Sequence, residues 1–254
     1  DIVAVSITDS GTVGSATAAT TDAISTISLT GVTGASTIAT DALTSITVKN
    51  AGLATNTDGF TAATDLRTLT VSQNGGTNGG VRDDGATTVN FNVDAATANA
   101  GTNTFGAATT LNVDVNAVLT AGTIVAAAAT DVNVNLDAAV TASTITTAAA
   151  TTLDFTGTAN ATVTQTAAAA VITNSGAGNL TLVTDIAAGQ QYVGGAGVDT
   201  VTFAATGTTA STLGAGDDVA TFSAVAGTGG SVDGGPGVIS PFLTGCICRT
   251  YAAI

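Results

Sequence analysis

The sequence contains no histidine, methionine, tryptophan or glutamate, and it carries very little positive charge. All 18 acidic residues are aspartates, and only Lys49, Arg67, Arg82 and Arg249 oppose them, so the net charge is -14. Four scattered cations cannot form the basic face that displaces counterions from nucleic-acid phosphates, and anionic membrane surfaces repel such a chain. We therefore expect no nucleic-acid binding, and divalent cations are the partners that the aspartates should attract.

Glutamate and lysine, which favour helices, are absent or nearly so, and long apolar runs are absent. Without glutamate and with a single lysine, the chain is dominated by residues that favour strands and turns. No run approaches the roughly 18 apolar residues needed to span a bilayer, so we expect no membrane insertion. The opening "DIVAVSITDS" lacks the basic start and apolar run of a signal peptide, and we expect a processed product or a segment of a longer protein.

Residues suited to catalysis are also few. With no histidine, one lysine and seven phenylalanines that mostly occupy core positions, general-base chemistry would depend on aspartate alone. We therefore expect no enzymatic activity. The two cysteines, Cys246 and Cys248, are separated by one residue, so a strained disulfide, part of a metal site and incidental thiols all remain open.

A short sequence repeat runs through the chain. Segments such as "ATTVNFNVD" from 86, "ATTLNVDVN" from 108 and "ATDVNVNLD" from 129 align with apolar residues in one column. That column contains Ile27, Ile46, Leu69, Val89, Leu111, Val132 and Leu153. A short alternating strand that recurs about every 21 residues is typical of a solenoid.

Alternation within each unit separates an inner column from an outer one. In "TLNVDV", Leu111 and Val113 face one side while Asn112 and Asp114 face the other. The predicted outer column contains Ser28, Thr47, Thr70, Asn90, Asn112, Asn133 and Asp154. Its change from threonine to asparagine and aspartate argues against a flat ice-binding threonine array.

Weaker segments between these strands place Ile124 and Ile145 one repeat apart, so each coil should contain at least two strands. We predict an all-β fold, a parallel β-helix with coils of about 21 residues. The leucine-rich-repeat template also fits Leu66, Leu69, Val71 and Asn74, but the intervening segments show no helical pattern. The column lapses over the longer interval between Leu153 and Leu180, and it resumes at the original interval with Val201 and Phe222.

The stretch "GGAGVDTVT", residues 194–202, matches the nonapeptide GGxGxDxUx, in which U is a large apolar residue. Its candidate ligands are Gly194, Gly195, Gly197 and Asp199. "LGAGDDVAT" follows from 213 and contributes Gly214, Gly216, Asp217 and Asp218, although Leu213 and Ala220 depart from the pattern. "DGGPGVIS" begins a third copy at Asp233 and has Ile239 where the motif has aspartate.

Two carboxylates one coil apart favour a bound cation. Asp199 and Asp218 are separated by about one coil, which places them near the roughly 4.8 Å strand spacing. At that distance they repel by about 1 kcal/mol in water and by several times more near a protein surface. A cation with oxygen ligands would remove the repulsion, and oxygen ligands favour Ca²⁺ over zinc. The alternative is an ordinary Asp-Gly turn, which we prefer for "NTDGF" at 56 and "VRDDGATT" at 81.

The motif resembles the repeats-in-toxin calcium-binding family, and residues 20–235 are similar in composition and period to bacterial surface-layer proteins. That resemblance implies type I secretion, Ca²⁺ binding and self-assembly into a coat on the bacterial surface, with cell-surface polysaccharide as a further candidate partner. The alternative is the stalk of a type I secreted adhesin. It also implies a solenoid over 1–160, an irregular coil over 161–178, a repeats-in-toxin-like calcium-binding solenoid over 179–238 and an atypical tail over 239–254.

Overall fold

The computed structural model describes residues 2–9, 22–57, 67–166, 171–204, 209–223, 231–236 and 240–243. These residues form strands, turns and bends without any helix, and therefore contain no helix that could cross a membrane. The strands form two sheets, one with 12 strands (sheet 1) and one with 11 (sheet 2).

Strands alternate between the two sheets along the chain. Sheet 1 contains β1 (Ser6–Thr8), β3 (Ser36–Ala39), β5 (Ala54–Asn56), β7 (Val81–Asp83), β9 (Thr102–Thr104), β11 (Gly122–Val125), β13 (Val140–Thr146), β15 (Ala161–Gln165), β17 (Leu180–Leu182), β19 (Thr200–Phe203), β21 (Val219–Phe222) and β23 (Ser240–Leu243). Sheet 2 contains β2 (Thr26–Thr30), β4 (Ser45–Lys49), β6 (Thr68–Thr77), β8 (Thr88–Asn99), β10 (Thr110–Val115), β12 (Asp131–Leu136), β14 (Thr152–Gly157), β16 (Val171–Asn174), β18 (Gln191–Val193), β20 (Ser211–Thr212) and β22 (Val232–Asp233).

Each coil therefore supplies one strand to each sheet, and every pairing between named strands is parallel. This arrangement is the predicted parallel β-helix. The leucine-rich-repeat alternative is wrong for the described residues, because strands and turns occupy the positions where that fold has a helix or 3₁₀ segment.

A single stack of apolar side chains fills the space between the sheets. Leu111 lies between Val89 and Val132 in adjacent coils, and all three are fully buried. Aliphatic side chains supply most of this core, and Phe91, Phe105, Phe155 and Tyr192 are the largest fully buried residues. The alternation of β10 thus places the apolar residues inside, as predicted.

The predicted core column contains one error of register. Ile46 pairs with Val71 rather than with Leu69, and Thr47 correspondingly pairs with Ser72 rather than Thr70. A register shift that moves the pairing to the next residue on the same face keeps every side chain on that face, so alternation alone could not detect it.

A second error of register lies in the later coils. Thr181 pairs with Thr200 and Val201 pairs with Ala220, so the repeat there is 19 residues and Phe222 lies opposite Phe203. The predicted column of Leu180, Val201 and Phe222 is therefore wrong, again by one step along the same face.

The long interval between Leu153 and Leu180 joins residues of different sheets, because Leu153 lies in β14 and Leu180 in β17. The residue opposite Leu153 is Ile172 in β16. Strands β15 and β16 both pair with their neighbours inside the segment expected to be irregular, where residues 167–170 lie outside the described residues.

The domain boundaries stay predictions. In the tail, Ser240–Leu243 pairs with β21. Ile239, Cys246 and Cys248 lie outside the described residues, as does Leu66 of the leucine-rich pattern.

Candidate metal centre

Three Gly-Ala-Gly turns stack at one corner of the solenoid, where the chain passes from sheet 2 to sheet 1. They occupy residues 176–178, 195–197 and 214–216, so they recur once per coil. The Ala196 amide donates to the Gly176 carbonyl (3.3 Å), and the Ala215 amide donates to the Gly195 carbonyl (2.7 Å). This glycine corner therefore repeats with the coil at an interval of 19 residues, the same as that between the neighbouring strands β19 and β21.

Glycine is required at this corner because successive turns lie almost in contact. A Cβ atom at Gly195 would overlap the carbonyl oxygens of Asn174 and Gly176, and one at Gly197 would overlap the Gly178 carbonyl. Gly216 has a φ of 135°, which residues with a side chain rarely adopt. The glycines of the motif thus bring backbone oxygens of adjacent coils close together.

Asp199 lies directly after the second turn, with its side chain fully buried between the sheets. Its Oδ1 accepts hydrogen bonds from Asn174 Nδ2 (2.8 Å) and from the Leu180 amide (3.2 Å). Its Oδ2 accepts a hydrogen bond from the Tyr192 hydroxyl (2.8 Å). Gly194 leaves the room for this carboxylate, since a Cβ atom there would lie 2.8 Å from Asp199 Oδ2.

Asp218 occupies the equivalent position in the next coil and is also fully buried. Its Oδ1 accepts a hydrogen bond from the Asp199 amide (2.8 Å), just as Asp199 accepts one from Leu180 in the coil before. Its Oδ2 is buried and has no hydrogen-bond partner among the described residues. Leaving a buried charged acceptor unpaired costs several kcal/mol. This oxygen is therefore the atom of the corner at which a bound ligand is expected.

The electrostatics of the corner disfavour ionised carboxylates. Burial raises the pKa of both the Asp199 and Asp218 carboxyl groups, and the neighbouring Asp217 raises that of Asp218 further. Burial and the Asp199 carboxylate also raise the pKa of the Tyr192 hydroxyl, which stays a hydrogen-bond donor. The sequence contains no lysine or arginine between residues 83 and 248, so no nearby basic side chain of this part of the chain compensates the pair.

A third buried aspartate shows how the same fold neutralises such a charge with a side chain. The Arg67 guanidinium contacts both oxygens of Asp83, at 2.6 and 3.1 Å, and Asn56 donates a further hydrogen bond of 2.9 Å. Both members of this ion pair are buried. The glycine corner has the buried carboxylates without the equivalent cation.

The remaining predicted ligands lie outside this interior. Asp217 is exposed, and Asp233 is exposed in β22, where its Oδ1 accepts a hydrogen bond from the Gly235 amide (3.0 Å). Within the described ranges, no three residues of histidine, cysteine, aspartate or glutamate form a group that could hold a metal. The structure therefore brings together Asp199, Asp218 and the glycines at 194, 195, 197, 214 and 216, and leaves Asp217 and Asp233 at the surface.

Sequence reasoning missed the first turn of this corner and two polar partners. Aligned at the Gly-Ala-Gly turn, "SGAGNLTL" from 175 matches "GGAGVDTV" from 194 and "LGAGDDVA" from 213, and this shorter interval was the available signal. Nothing in the sequence marks Asn174 or Tyr192 as partners of Asp199, because their proximity depends on which coils are adjacent.

The donors at the corner suit Ca²⁺, which takes six to eight oxygen ligands in flexible geometry. The residues that would hold it are Asp218, through its unpaired Oδ2, together with Asp199 and carbonyl groups of the glycine turns. No nitrogen or sulfur side chain that ligates transition metals accompanies them among the described residues. The corner thus offers oxygen ligands alone, and of its carboxylate oxygens Asp218 Oδ2 is the one without a hydrogen-bond partner among the described residues.

Comparison of the chain with protein-family models, with curated proteins and with solved structures found no match. The class that the fold itself defines is the parallel β-solenoid.

Proposed function

We propose that this chain is a structural subunit of a calcium-dependent assembly outside the bacterial cell, of the surface-layer type. The observation that carries the proposal is the buried Asp199–Asp218 pair. Among the described residues, one oxygen of Asp218 has no hydrogen-bond partner and no nearby basic side chain balances the charge of the pair. A bound Ca²⁺ would neutralise the pair and join two successive coils.

Calcium links this site to a role outside the cell. Extracellular calcium-binding modules have Kd values of about 10⁻⁴ to 10⁻³ M, which suit an environment rich in the ion. A site of that strength would stabilise the corner after secretion and leave it weakened where calcium is scarce. The Gly-Ala-Gly register, repeated over three coils, supports the same resemblance to repeats-in-toxin proteins that the motif indicated.

A structural role also agrees with the chemistry of the surface. The outward positions of β8, β10, β12 and β14 carry asparagine, aspartate and threonine in ladders that hydrogen-bond from coil to coil. Such ladders stiffen a rod, and the asparagine amides and threonine hydroxyls that form most of them are not general bases. We therefore propose a scaffold that does not catalyse a reaction.

Assembly in calcium is the test. We expect electron microscopy to show ordered sheets or fibres at about 1 to 10 mM calcium, and we expect them to disperse when the calcium is chelated. Sodium chloride at matched ionic strength is the control, because it screens charge without bridging carboxylates. Single rods that persist in calcium at high protein concentration would contradict the coat and would favour the adhesin stalk.

A further inference from the structure

Charge is distributed unequally between the outer faces of the two sheets. The strands of sheet 2 carry solvent-accessible aspartates, namely Asp94, Asp114, Asp131, Asp154 and Asp233. In sheet 1, the described side chains of β1 to β21 include one aspartate, Asp83, which is buried, and one cation, Arg82, which pairs with Asp84. The outward-facing side of sheet 1 is therefore almost free of charge.

Threonines in register form the centre of this face. Thr123 pairs with Thr102 on one side and with Thr144 on the other, and Thr144 pairs in turn with Thr164. A groove of about 370 Å³ lies beside them, lined by these threonines and by small residues of the same coils. We call the outward-facing residues of sheet 1 the threonine face.

Exposed apolar side chains lie in the turns and connections, mostly beside strands of sheet 1. The large hydrophobic residues with high exposure are Ile2, Val3, Leu53, Val118, Val183 and Val198. Five of them lie near the ends of β1, β5, β17 or β19, and Val118 precedes Leu119, which bridges to Thr97 of β8 in sheet 2 and to Val140 of β13 in sheet 1. None of the six lies within a strand of either sheet. Exposed apolar side chains beside a face with little charge are typical of a protein interaction surface.

We propose that the threonine face binds the threonine face of a second copy of this chain, so that two solenoids pair back to back. The inference rests on the proposed self-assembly and names one of its contact surfaces. Charge favours a second copy as the occupant, because the described strands of sheet 1 offer an outer face with little charge, on which two chains of net charge -14 can meet with few opposing carboxylates.

The size of the face is adequate for a stable pair. Sheet 1 has 12 strands, so at about 4.8 Å per strand and about four residues of 3.3 Å per strand it measures about 55 Å by 13 Å. That area, about 700 Å², is close to the roughly 800 Å² that each partner buries in a standard interface.

Repulsion between the charged faces does not oppose this pairing. The aspartates of sheet 2 lie on the far side of each solenoid, and packed sheets are separated by about 10 Å. Two such separations exceed the Debye length of about 8 Å at physiological ionic strength. Pairing through the threonine face should therefore need no calcium. The proposed growth into sheets or fibres should need it, because the aspartates on the other surfaces repel one another.

The test adds one negative charge to either face. Val183→Asp and Thr144→Asp place an aspartate on the threonine face, and Thr47→Asp places one on sheet 2 between Ser28 and Ser72. Val183 is 56% exposed, so its replacement removes little buried surface. Sedimentation equilibrium is measured in chelator and about 150 mM salt, and thermal unfolding confirms that each variant is folded.

We expect the parent chain and Thr47→Asp to have about twice the 24.1 kDa mass of one chain, and Val183→Asp and Thr144→Asp to have the mass of a single chain. A single-chain mass for the parent in chelator overturns the inference, whatever other partner the face then binds. Pairing that survives both sheet 1 substitutions also overturns it.

The two proposals fail separately. Pairs in chelator that do not grow into sheets with calcium would refute the proposed function and leave the paired face intact. A parent chain that is monomeric in chelator but forms sheets in calcium would refute the paired face and leave the proposed function intact.

Discussion

Replacing Asp218 with asparagine should abolish the stabilisation of this protein by calcium. Asp218 is buried and its Oδ2 has no partner among the described residues, whereas the adjacent Asp217 is exposed. Asp218→Asn and Asp217→Asn each remove one negative charge at neighbouring positions, so they form a matched pair. If the ion is held by the buried oxygen, Asp218→Asn should eliminate the response and Asp217→Asn should weaken it slightly.

The expected size of the response follows from mass action. With a Kd of about 10⁻⁴ M, which is typical of extracellular calcium modules, about 10 mM calcium is 100 times Kd and stabilises the folded state by about 2.7 kcal/mol. A chain of this size changes its Tm by about 2 to 4 °C per kcal/mol. Calcium should therefore raise the Tm of the parent by about 5 to 10 °C and that of Asp218→Asn by less than about 1 °C.

The result in chelator separates loss of a metal ligand from damage to the fold. An asparagine at 218 keeps the oxygen that accepts the Asp199 amide and removes a buried charge. Without calcium, Asp218→Asn should therefore equal or exceed the parent in stability, by up to about 1 to 3 kcal/mol. A variant that is merely misfolded would instead be less stable under both conditions.

Differential scanning calorimetry over a calcium series, with sodium chloride at matched ionic strength, is the measurement. The reasoning is refuted if the parent shows no calcium-dependent rise in Tm, or if Asp217→Asn loses as much of that rise as Asp218→Asn. Either result would make the glycine corner a plain turn.

Three other substitutions or conditions test the remaining physics. Leu111→Asp should lower the free energy of unfolding by several kcal/mol, because it places an unpaired charge between fully buried neighbours. Asn112→Asp should lower it by about 1 kcal/mol, because two side-chain hydrogen bonds are perturbed. Equal losses in denaturant unfolding would contradict the register. Arg67→Met should lower the free energy of unfolding by about 3 to 5 kcal/mol, because it leaves Asp83 buried without its cation. Arg82→Met, at the exposed ion pair with Asp84, should lower it by less than about 1 kcal/mol. Similar losses for the two variants would refute this contrast. In chelator, acidification from about pH 7 towards the ordinary aspartate pKa of 3.8 should raise the Tm of the parent relative to that of Asp218→Asn, because burial raises the folded-state pKa of Asp218 and the folded chain then binds more protons than the unfolded one; an unchanged difference between the parent and Asp218→Asn over that range would contradict it.

Alternation in the sequence was sufficient to predict the fold class and most of the core. In β10, apolar and polar residues alternate strictly, so burial of one face places Leu111 inside and Asn112 outside. The aligned repeats correctly predicted Val89, Leu111, Val132 and Leu153 as one column. The absence of glutamate and the single lysine favoured an all-β chain before any alignment.

The alternation of apolar and polar residues does not determine the register between neighbouring coils. Pairing Ile46 with Leu69 or with Val71 leaves the same side chains buried, so the two arrangements have identical patterns along the chain. The same ambiguity extends the interval of about 21 residues found in the middle coils to the later ones, where strands pair at an interval of 19. Contacts between coils determine which register is adopted, and the pattern of residues within one strand does not specify those contacts.

The candidate metal site is also only partly predictable from the sequence. The motif predicts the glycines and the two aspartates at 199 and 218, because these residues recur in it at a spacing of about one coil. The motif does not predict that Asn174 and Tyr192 bind the oxygens of Asp199, or that one oxygen of Asp218 has no partner in the described residues. The reason is physical: hydrogen bonds across coils depend on which turn lies above which, and that choice is made by backbone contact between the glycines of successive turns.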